Sequence, residues 1–104
     1  MRKIEAEMIA AIRQRKNWRK GNTQVVVTDK LLHVYLHRNR IAAFDFRDGW
    51  LFSLAGWPTP TTRSRLNALA LAFRDQNHLV HQEKGKQYRY ILGRKTEVSD
   101  TGWW

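Results

Sequence analysis

The sequence predicts an α+β domain in which two helices pack on one face of an antiparallel sheet, in the order α-β-β-β-β-α-β-β. Apolar residues recur at helical spacing in two segments, while the segments between and after them alternate apolar and polar residues, as half-buried strands do. Short turn signals separate the strands, which favours hairpins. A chain of 104 residues holds one such domain, residues 1–104, with a short tail from about 93 to 104.

The first predicted helix covers residues 2–18. Its buried face carries Ile4, Met8 and Ile12, which recur at the spacing of one helical face. Basic residues gather towards its C-terminal end, where they suit the negative end of the helix dipole. Gly21 or Asn22 is the predicted stop.

The next segment predicts a four-stranded meander. Leu32, Val34 and Leu36 alternate with polar residues in its second strand, and Arg38-Asn39 is the predicted tight turn because asparagine tolerates a positive φ. The predicted strands cover residues 23–28, 31–37, 41–46 and 50–54.

A second helix and a hairpin complete the pattern. Thr61 or Thr62 is the predicted cap of a helix that runs to about Asn77 and buries a stripe of apolar residues. The hairpin joins residues 78–83 to residues 87–92, and the following residues show little pattern before Trp103-Trp104.

The charge of the chain predicts an anionic partner. Nineteen lysines and arginines stand against nine acidic residues, giving a net charge of +10. Such a field attracts polyanions, and nucleic acid is the most common partner of a small basic domain. An acidic surface on a host protein is the second possibility. The predicted binding residues are Arg13, Arg15, Lys16, Trp18, Arg19 and Lys20 at the first helix end, Arg38 and Arg40 at the hairpin turn, Arg63 and Arg65 at the second helix start, and Lys84 and Lys86 in the last hairpin.

Two of these groups leave alternatives open. Arg63 and Arg65 lie at a helix start, where free amides and the helix dipole favour a phosphate. They are otherwise solvated side chains beside a threonine cap, with Asn67 bonded locally to the preceding loop. Trp18, among basic residues, either stacks on a base or packs into the core.

Nothing in the sequence predicts catalysis. The chain has no cysteine, which excludes disulfides, thiolate nucleophiles and cysteine-based zinc sites. The acidic residues lack the spacing of a metal-dependent nuclease, and no glycine-rich phosphate loop is present. We therefore expect no enzyme activity, no metal and no cofactor. No apolar run approaches the ~20 residues of a membrane span, so a cytoplasmic protein without a membrane partner is expected.

The tail ends in two adjacent tryptophans, Trp103 and Trp104, after a polar run. Exposed tryptophans are strong anchors in protein interfaces. We expect both rings to be buried, on a partner chain in preference to their own domain, and a homodimer is one possible partner arrangement.

The sequence also contains four short motifs. They are Gly21-Asn22-Thr23, Asn39 with Ile41-Ala42, Gly56-Trp57, and Thr61-Thr62-Arg63-Ser64-Arg65-Leu66-Asn67-Ala68. Together they resemble a group of small accessory proteins encoded by tailed bacteriophages. The resemblance implies a phage origin, an accessory role in the bacterial host cell, and no catalytic residue.

Two functions follow as hypotheses. The first is a non-enzymatic phage accessory protein that binds nucleic acid through its basic surface. The alternative is a phage inhibitor that binds a host protein directly, such as a defence nuclease complex, RNA polymerase or a replication factor. The two hypotheses differ in salt dependence, because only phosphate binding releases condensed counterions.

Overall fold

The computed structural model describes residues 2–104 and confirms the α+β class. It differs from the prediction in having two more strands, β1 and β8, and in dividing the strands between two antiparallel sheets. The first sheet has the order β1-β2-β3-β4-β5 and the second the order β6-β7-β8. The elements are α1 Lys3–Arg13, β1 Trp18–Lys20, β2 Thr23–Val27, β3 Leu31–Leu36, β4 Asn39–Asp45, β5 Gly49–Phe52, α2 Pro60–Phe73, a short 3-10 helix Gln76–His78, β6 Val80–Glu83, β7 Lys86–Ile91 and β8 Arg94–Val98.

Both helices cover the same face of the five-stranded sheet. Met8 and Ile12 of α1 share one core with Leu66 and Leu69 of α2. The inward residues of the strands, among them Phe52, complete this core. Burial of these side chains is the main stabilising term of the fold, and it leaves the other face of the sheet without a helix.

Helix α1 ends five residues earlier than predicted. Arg15 adopts a left-handed conformation with φ 53°, and the amide of Lys16 donates to the carbonyl of Ala11 at 3.0 Å. This is a Schellman ending, which usually has glycine at the left-handed position. The chain then turns back as β1, and the side-chain oxygen of Asn17 accepts a bond from the Val27 amide at 2.7 Å.

Helix α2 is capped two to three residues earlier than predicted. Thr59 is its cap, because the Thr59 hydroxyl accepts a bond from the Thr62 amide at 3.1 Å. Pro60 occupies the first turn, where its missing N–H costs nothing. Thr61 and Thr62 therefore lie inside the helix.

Three hairpins use two-residue turns in which both residues have positive φ. The turns are His37-Arg38, Lys84-Gly85 and Leu92-Gly93. The predicted turn at Arg38-Asn39 was one residue late, since Asn39 already belongs to β4. The turn at Leu92-Gly93 produces β8, which the sequence did not predict because leucine seldom adopts positive φ.

Asn67 joins the second sheet to α2. Its side-chain amide donates to the Val80 carbonyl at 3.0 Å, and its side-chain oxygen accepts from the Val80 amide at 2.8 Å. The predicted local bond to the preceding loop is therefore wrong. Asn67 instead forms with the backbone of Val80, the first residue of β6, the pair of hydrogen bonds that a neighbouring strand would form.

Candidate nucleic-acid interface

Arg65 does not lie on the surface. The residue is only 3% exposed, and its Nη1 atom lies 2.8 Å from the Glu5 carboxylate oxygen Oε2. Its Nε atom donates to the Thr23 hydroxyl at 3.0 Å. Because these partners occupy the guanidinium inside the protein, the prediction that Arg65 binds a phosphate is wrong.

The residues around this ion pair form one buried network. The Ser64 hydroxyl donates to Glu5 at 2.6 Å, and the Thr23 hydroxyl donates to the Asn22 side chain at 2.8 Å. The network of Glu5, Asn22, Thr23, Ser64 and Arg65 thus joins α1, β2 and α2. Two of the sequence motifs, Gly-Asn-Thr and the α2 start, consequently have a structural role here.

Arg63 is also engaged within the protein. Its Nη1 atom donates to the Pro58 carbonyl at 2.8 Å and to the side-chain oxygens of Gln82 and Gln87 at 3.0 and 3.1 Å. The side chain is half-buried, and it connects the start of α2 to the second sheet. A phosphate would have to displace these bonds, which argues against Arg63 as a binding residue.

The basic cluster after α1 is divided by the early end of the helix. Arg13 and Arg15 rest over the rings of Phe73 and Phe46, with guanidinium-to-centroid distances of 5.8 and 4.2 Å. Both remain exposed, as does Lys16. Lys20 does not share a helix face with Arg13 and Lys16, because it belongs to β1.

The three residues of β1 point to two different faces of the sheet. Trp18 is half-buried against the hydrophobic core, so packing accounts for most of its ring. Lys20 points to the helix side, where its Nζ lies 2.8 Å from the Glu7 carboxylate. Arg19 alternates with both and points to the opposite, uncovered side of the sheet.

That uncovered side is called the open face, and one row of side chains crosses it. Arg19 pairs with Gln24, Gln24 with Tyr35 and Tyr35 with Arg40 in the registers of β1 to β4. The Arg40 guanidinium lies over the ring of Trp103, 5.1 Å from its centroid. From β1 outwards the row therefore consists of a cation, an amide, an aromatic ring, a second cation and a second aromatic ring.

A bulge in β4 places Arg40 in this row. Ala42 faces the core, and strict alternation would turn Arg40 inward as well. The register shifts between Val34 and Tyr35, so that Ile41 is the additional residue and is also buried. Arg40 consequently reaches the open face.

Arg38 extends the open face at its edge. It lines a shallow depression of about 500 Å³ together with Arg19, Gln24, Tyr35 and His37. Among residues 2–104, neither Arg19 nor Arg38 nor Arg40 forms an ion pair with a carboxylate. These three cations are therefore available to an anionic ligand.

His33 contributes to the open face without contributing charge. Its ring lies 6.2 Å from that of Tyr35, and its Nδ1 lies 3.5 Å from the Arg40 guanidinium. Partial burial, and secondarily the positive charge of Arg40, lower the pKa of His33. The imidazole is therefore neutral at neutral pH and offers a ring and a hydrogen-bonding nitrogen.

The second sheet has a different surface. Its Lys86 lies 4.0 Å from a Glu97 carboxylate oxygen, and Lys95 pairs with Glu83. Lys84 is exposed in the turn of the hairpin. Because its cations alternate with carboxylates, this sheet attracts a polyanion less strongly than the open face does.

The C-terminal tail lies against its own domain. The backbone N–H and C=O of Trp104 bond to those of Phe52 at 2.8 and 3.1 Å, and Trp103 pairs with Ser53. The Trp104 ring packs edge-on against Phe52, while 41% of Trp103 remains exposed. The expectation that both rings prefer a partner chain is therefore wrong for Trp104, and Trp103 belongs to the open face.

Two further findings concern the part of the chain that the structure describes. Among residues 2–104, no three histidine or acidic side chains come together in a way that could hold a metal ion. Within the same range, no helix has both the length and the apolar character required to cross a membrane.

The structure thus defines a small basic domain with one uncovered sheet face. Comparison of the sequence with protein families places this domain among bacteriophage proteins. The chain belongs to the Kyanoviridae Gp96 protein family, whose model matches residues 1–103. This membership confirms the predicted phage origin. No curated protein and no solved structure matches the chain.

Proposed function

We propose that this phage protein is a non-enzymatic accessory protein that binds nucleic acid through the open face in the cytoplasm of the host cell. The observation that carries the proposal is the row from Arg19 through Tyr35 to Arg40 and Trp103, which combines free cations with aromatic rings. Basic grooves interleaved with aromatic rings are typical of nucleic-acid-binding surfaces.

The chemistry of the row suits a phosphate backbone. Arg19 and Arg40 stand three strand spacings apart, about 14 Å, so they engage different phosphates. Guanidinium groups bind phosphate oxygens through paired N–H donors. The amide of Gln24, between them, offers both a donor and an acceptor to a sugar or a base.

The other exposed cations act at longer range. Arg13, Arg15, Lys16 and Lys84 form no ion pair with a carboxylate among residues 2–104. With a net charge of +10 they raise the local concentration of a polyanion and its association rate. We therefore assign them to steering and the open face to contact.

The proposal predicts a change in salt dependence. Replacing Arg19, Arg38 and Arg40 together by alanine should weaken binding to a 20-nucleotide strand and make the slope of log affinity against log salt shallower by about 2, because each lost phosphate contact removes about 0.7 from the slope. Fluorescence anisotropy at several salt concentrations measures both quantities.

The matched control removes the same number of charges from the second sheet. Lys84, Lys86 and Arg94 are all exposed there, and replacing them by alanine should leave the slope nearly unchanged. Equal slopes for the two triple variants would contradict the open face as the contact surface. Absence of binding by the unaltered protein would contradict the proposed function.

One observation favours the alternative function, direct inhibition of a host protein. Trp57 is 60% exposed, beside a groove of about 370 Å³ that Leu36, Ile41 and Leu54 line. An exposed tryptophan next to apolar side chains is a usual anchor for a protein partner.

This alternative predicts a complex that resists salt. Bait protein incubated with nuclease-treated host lysate should retain one host protein in stoichiometric amount at high salt, and Trp57→Ala should release it because the anchor is lost. Retention that depends on nucleic acid, or that Trp57→Ala leaves unchanged, would contradict the alternative.

A further inference from the structure

We propose, resting on the function above, that the ligand of the open face is a single strand of nucleic acid whose bases stack on Tyr35 and Trp103. Arg19, Arg38 and Arg40 bind its phosphates between and beside the two rings. A duplex is a weaker ligand of the same surface.

The separation of the two rings supports contact with separate bases. Tyr35 lies on β3, and Trp103 lies beyond β5, opposite Ser53. Three strand spacings of about 4.8 Å separate these positions, or about 14 Å. One base is too small to bridge that distance, so each ring takes a base of its own, with Arg40 between them.

The open face is suited to unpaired bases for a second reason. In a duplex the bases are stacked on each other, and a protein without an element that enters a groove meets mainly phosphates. The residues that cross the open face belong to strands of the sheet, except Trp103, which pairs with Ser53 next to β5. They present their side chains on the face of a sheet and not on an element that enters a groove. Single strands expose base faces that can lie on such aromatic side chains.

Trp103 is held in a way that leaves its ring available. The backbone of the tail is fixed at Phe52, the last residue of β5, and at Ser53, yet Trp103 remains 41% exposed. Arg40 contacts the ring and brings a cation next to it. A nucleotide whose base stacks on Trp103 therefore has the Arg40 guanidinium close by as a partner for its phosphate.

The aromatic residues of the second sheet lack these properties. The His81 ring already stacks on Tyr90, with centroids 5.1 Å apart and planes 7° apart, and Tyr88 pairs with an acidic residue, Glu97, in the register of β7 and β8. Glu83 and Glu97 share that surface and repel phosphates. The charges of the two surfaces therefore favour the open face over the second sheet as the site for a nucleic acid.

The experiment compares three ligands of one sequence, a 20-nucleotide DNA strand, the corresponding RNA strand and the DNA duplex, by fluorescence anisotropy. Tyr35→Leu and Trp103→Leu should each weaken binding of a single strand by about 5- to 150-fold, the range for one lost base–aromatic contact. Both changes should leave duplex affinity nearly unchanged. Tyr35→Phe, which keeps the ring, should bind as the unaltered protein does.

Matched controls are available in the same chain. Tyr90→Leu and Trp57→Leu each remove an exposed aromatic ring outside the open face, and they should bind single strands normally. Thermal unfolding of every variant establishes that it is folded. Ultraviolet cross-linking of the unaltered protein to the strand, followed by peptide mapping, should place the cross-links at Tyr35 and Trp103 without any substitution.

The outcomes separate the two proposals. Binding that is as tight to duplex as to single strands and insensitive to Tyr35→Leu and Trp103→Leu would overturn the stacking inference and leave the proposed function standing. Cross-links confined to Trp57 or Tyr90 would overturn it too. No binding to any of the three ligands would overturn both proposals. Equal affinity for DNA and RNA supports recognition by base stacking alone, and tighter RNA binding supports an added contact to the 2′-hydroxyl.

Discussion

Replacing Arg65 by methionine should lower the free energy of unfolding by about 3–5 kcal/mol, as breaking a buried ion pair from one side does. The substitution leaves the Glu5 carboxylate buried, with the Ser64 hydroxyl as its remaining side-chain donor. The Thr23 hydroxyl loses the Arg65 Nε donor and keeps only its bond to the Asn22 side chain. Urea denaturation followed by circular dichroism measures the change.

A second ion pair of α1, between Glu7 and Lys20 of β1, provides the control. The side chains of Lys20 and Glu7 are 51% and 33% exposed, so water screens the pair and Lys20→Met should cost less than about 1 kcal/mol. The double variant Glu5→Gln with Arg65→Met should recover part of the loss, because no charge is then left uncompensated in the core. An Arg65→Met variant as stable as Lys20→Met would contradict a structural role for the network.

Truncation after Gly102 should lower the free energy of unfolding by about 3 kcal/mol. The truncation removes the Trp104 ring from Phe52, about 1.5–3 kcal/mol of apolar burial, and two backbone hydrogen bonds worth about 0.5–1.5 kcal/mol each. Arg74 also loses the Trp104 carbonyl as an acceptor at 2.9 Å. Because about 1 kcal/mol corresponds to 4–8 °C in a domain of this size, calorimetry should detect a fall in Tm of more than about 10 °C.

The control for the truncation is Trp103→Leu, which keeps the backbone pairing of the tail. It should change Tm little, since much of the Trp103 ring is in solvent. If truncation left Tm unchanged and abolished only ligand binding, the tail would be an interface and not part of the folded domain.

Periodicity was sufficient to predict the central elements of the fold. Leu32, Val34 and Leu36 are all buried in β3, as their alternation indicated, and Leu66 and Leu69 are buried in α2. These positions could be predicted because a half-buried strand or helix requires its apolar face whatever surrounds it.

The elements that were missed depend on backbone conformations that side-chain type does not indicate. Helix α1 ends because Arg15 adopts positive φ, and the hairpin before β8 depends on Leu92 doing the same. Neither residue type favours that conformation. The helical pattern before Arg15 therefore predicted a longer helix, and Trp18–Lys20 was not recognised as a strand.

The candidate site was predicted in part. Arg19, Arg38 and Arg40 were identified from charge alone, whereas Tyr35 was not included and Trp103 was assigned to a protein interface. The row across the open face depends on strand register and on the bulge at Ile41, which periodicity does not reveal. Arg65 appeared exposed because its partner Glu5 lies 60 residues away.

The turn at His37-Arg38 belongs both to a hairpin of the fold and to the edge of the open face. The other two turns of this kind have glycine at their second position, whereas here Arg38 takes a φ of 68°, a conformation that costs a residue with a side chain about 1–2 kcal/mol. Glycine there would make a more stable hairpin but would leave the edge of the depression without its cation. Under the proposed function, folding and ligand contact therefore make opposite demands on residue 38, where arginine lowers local stability and supplies a positive charge beside Tyr35.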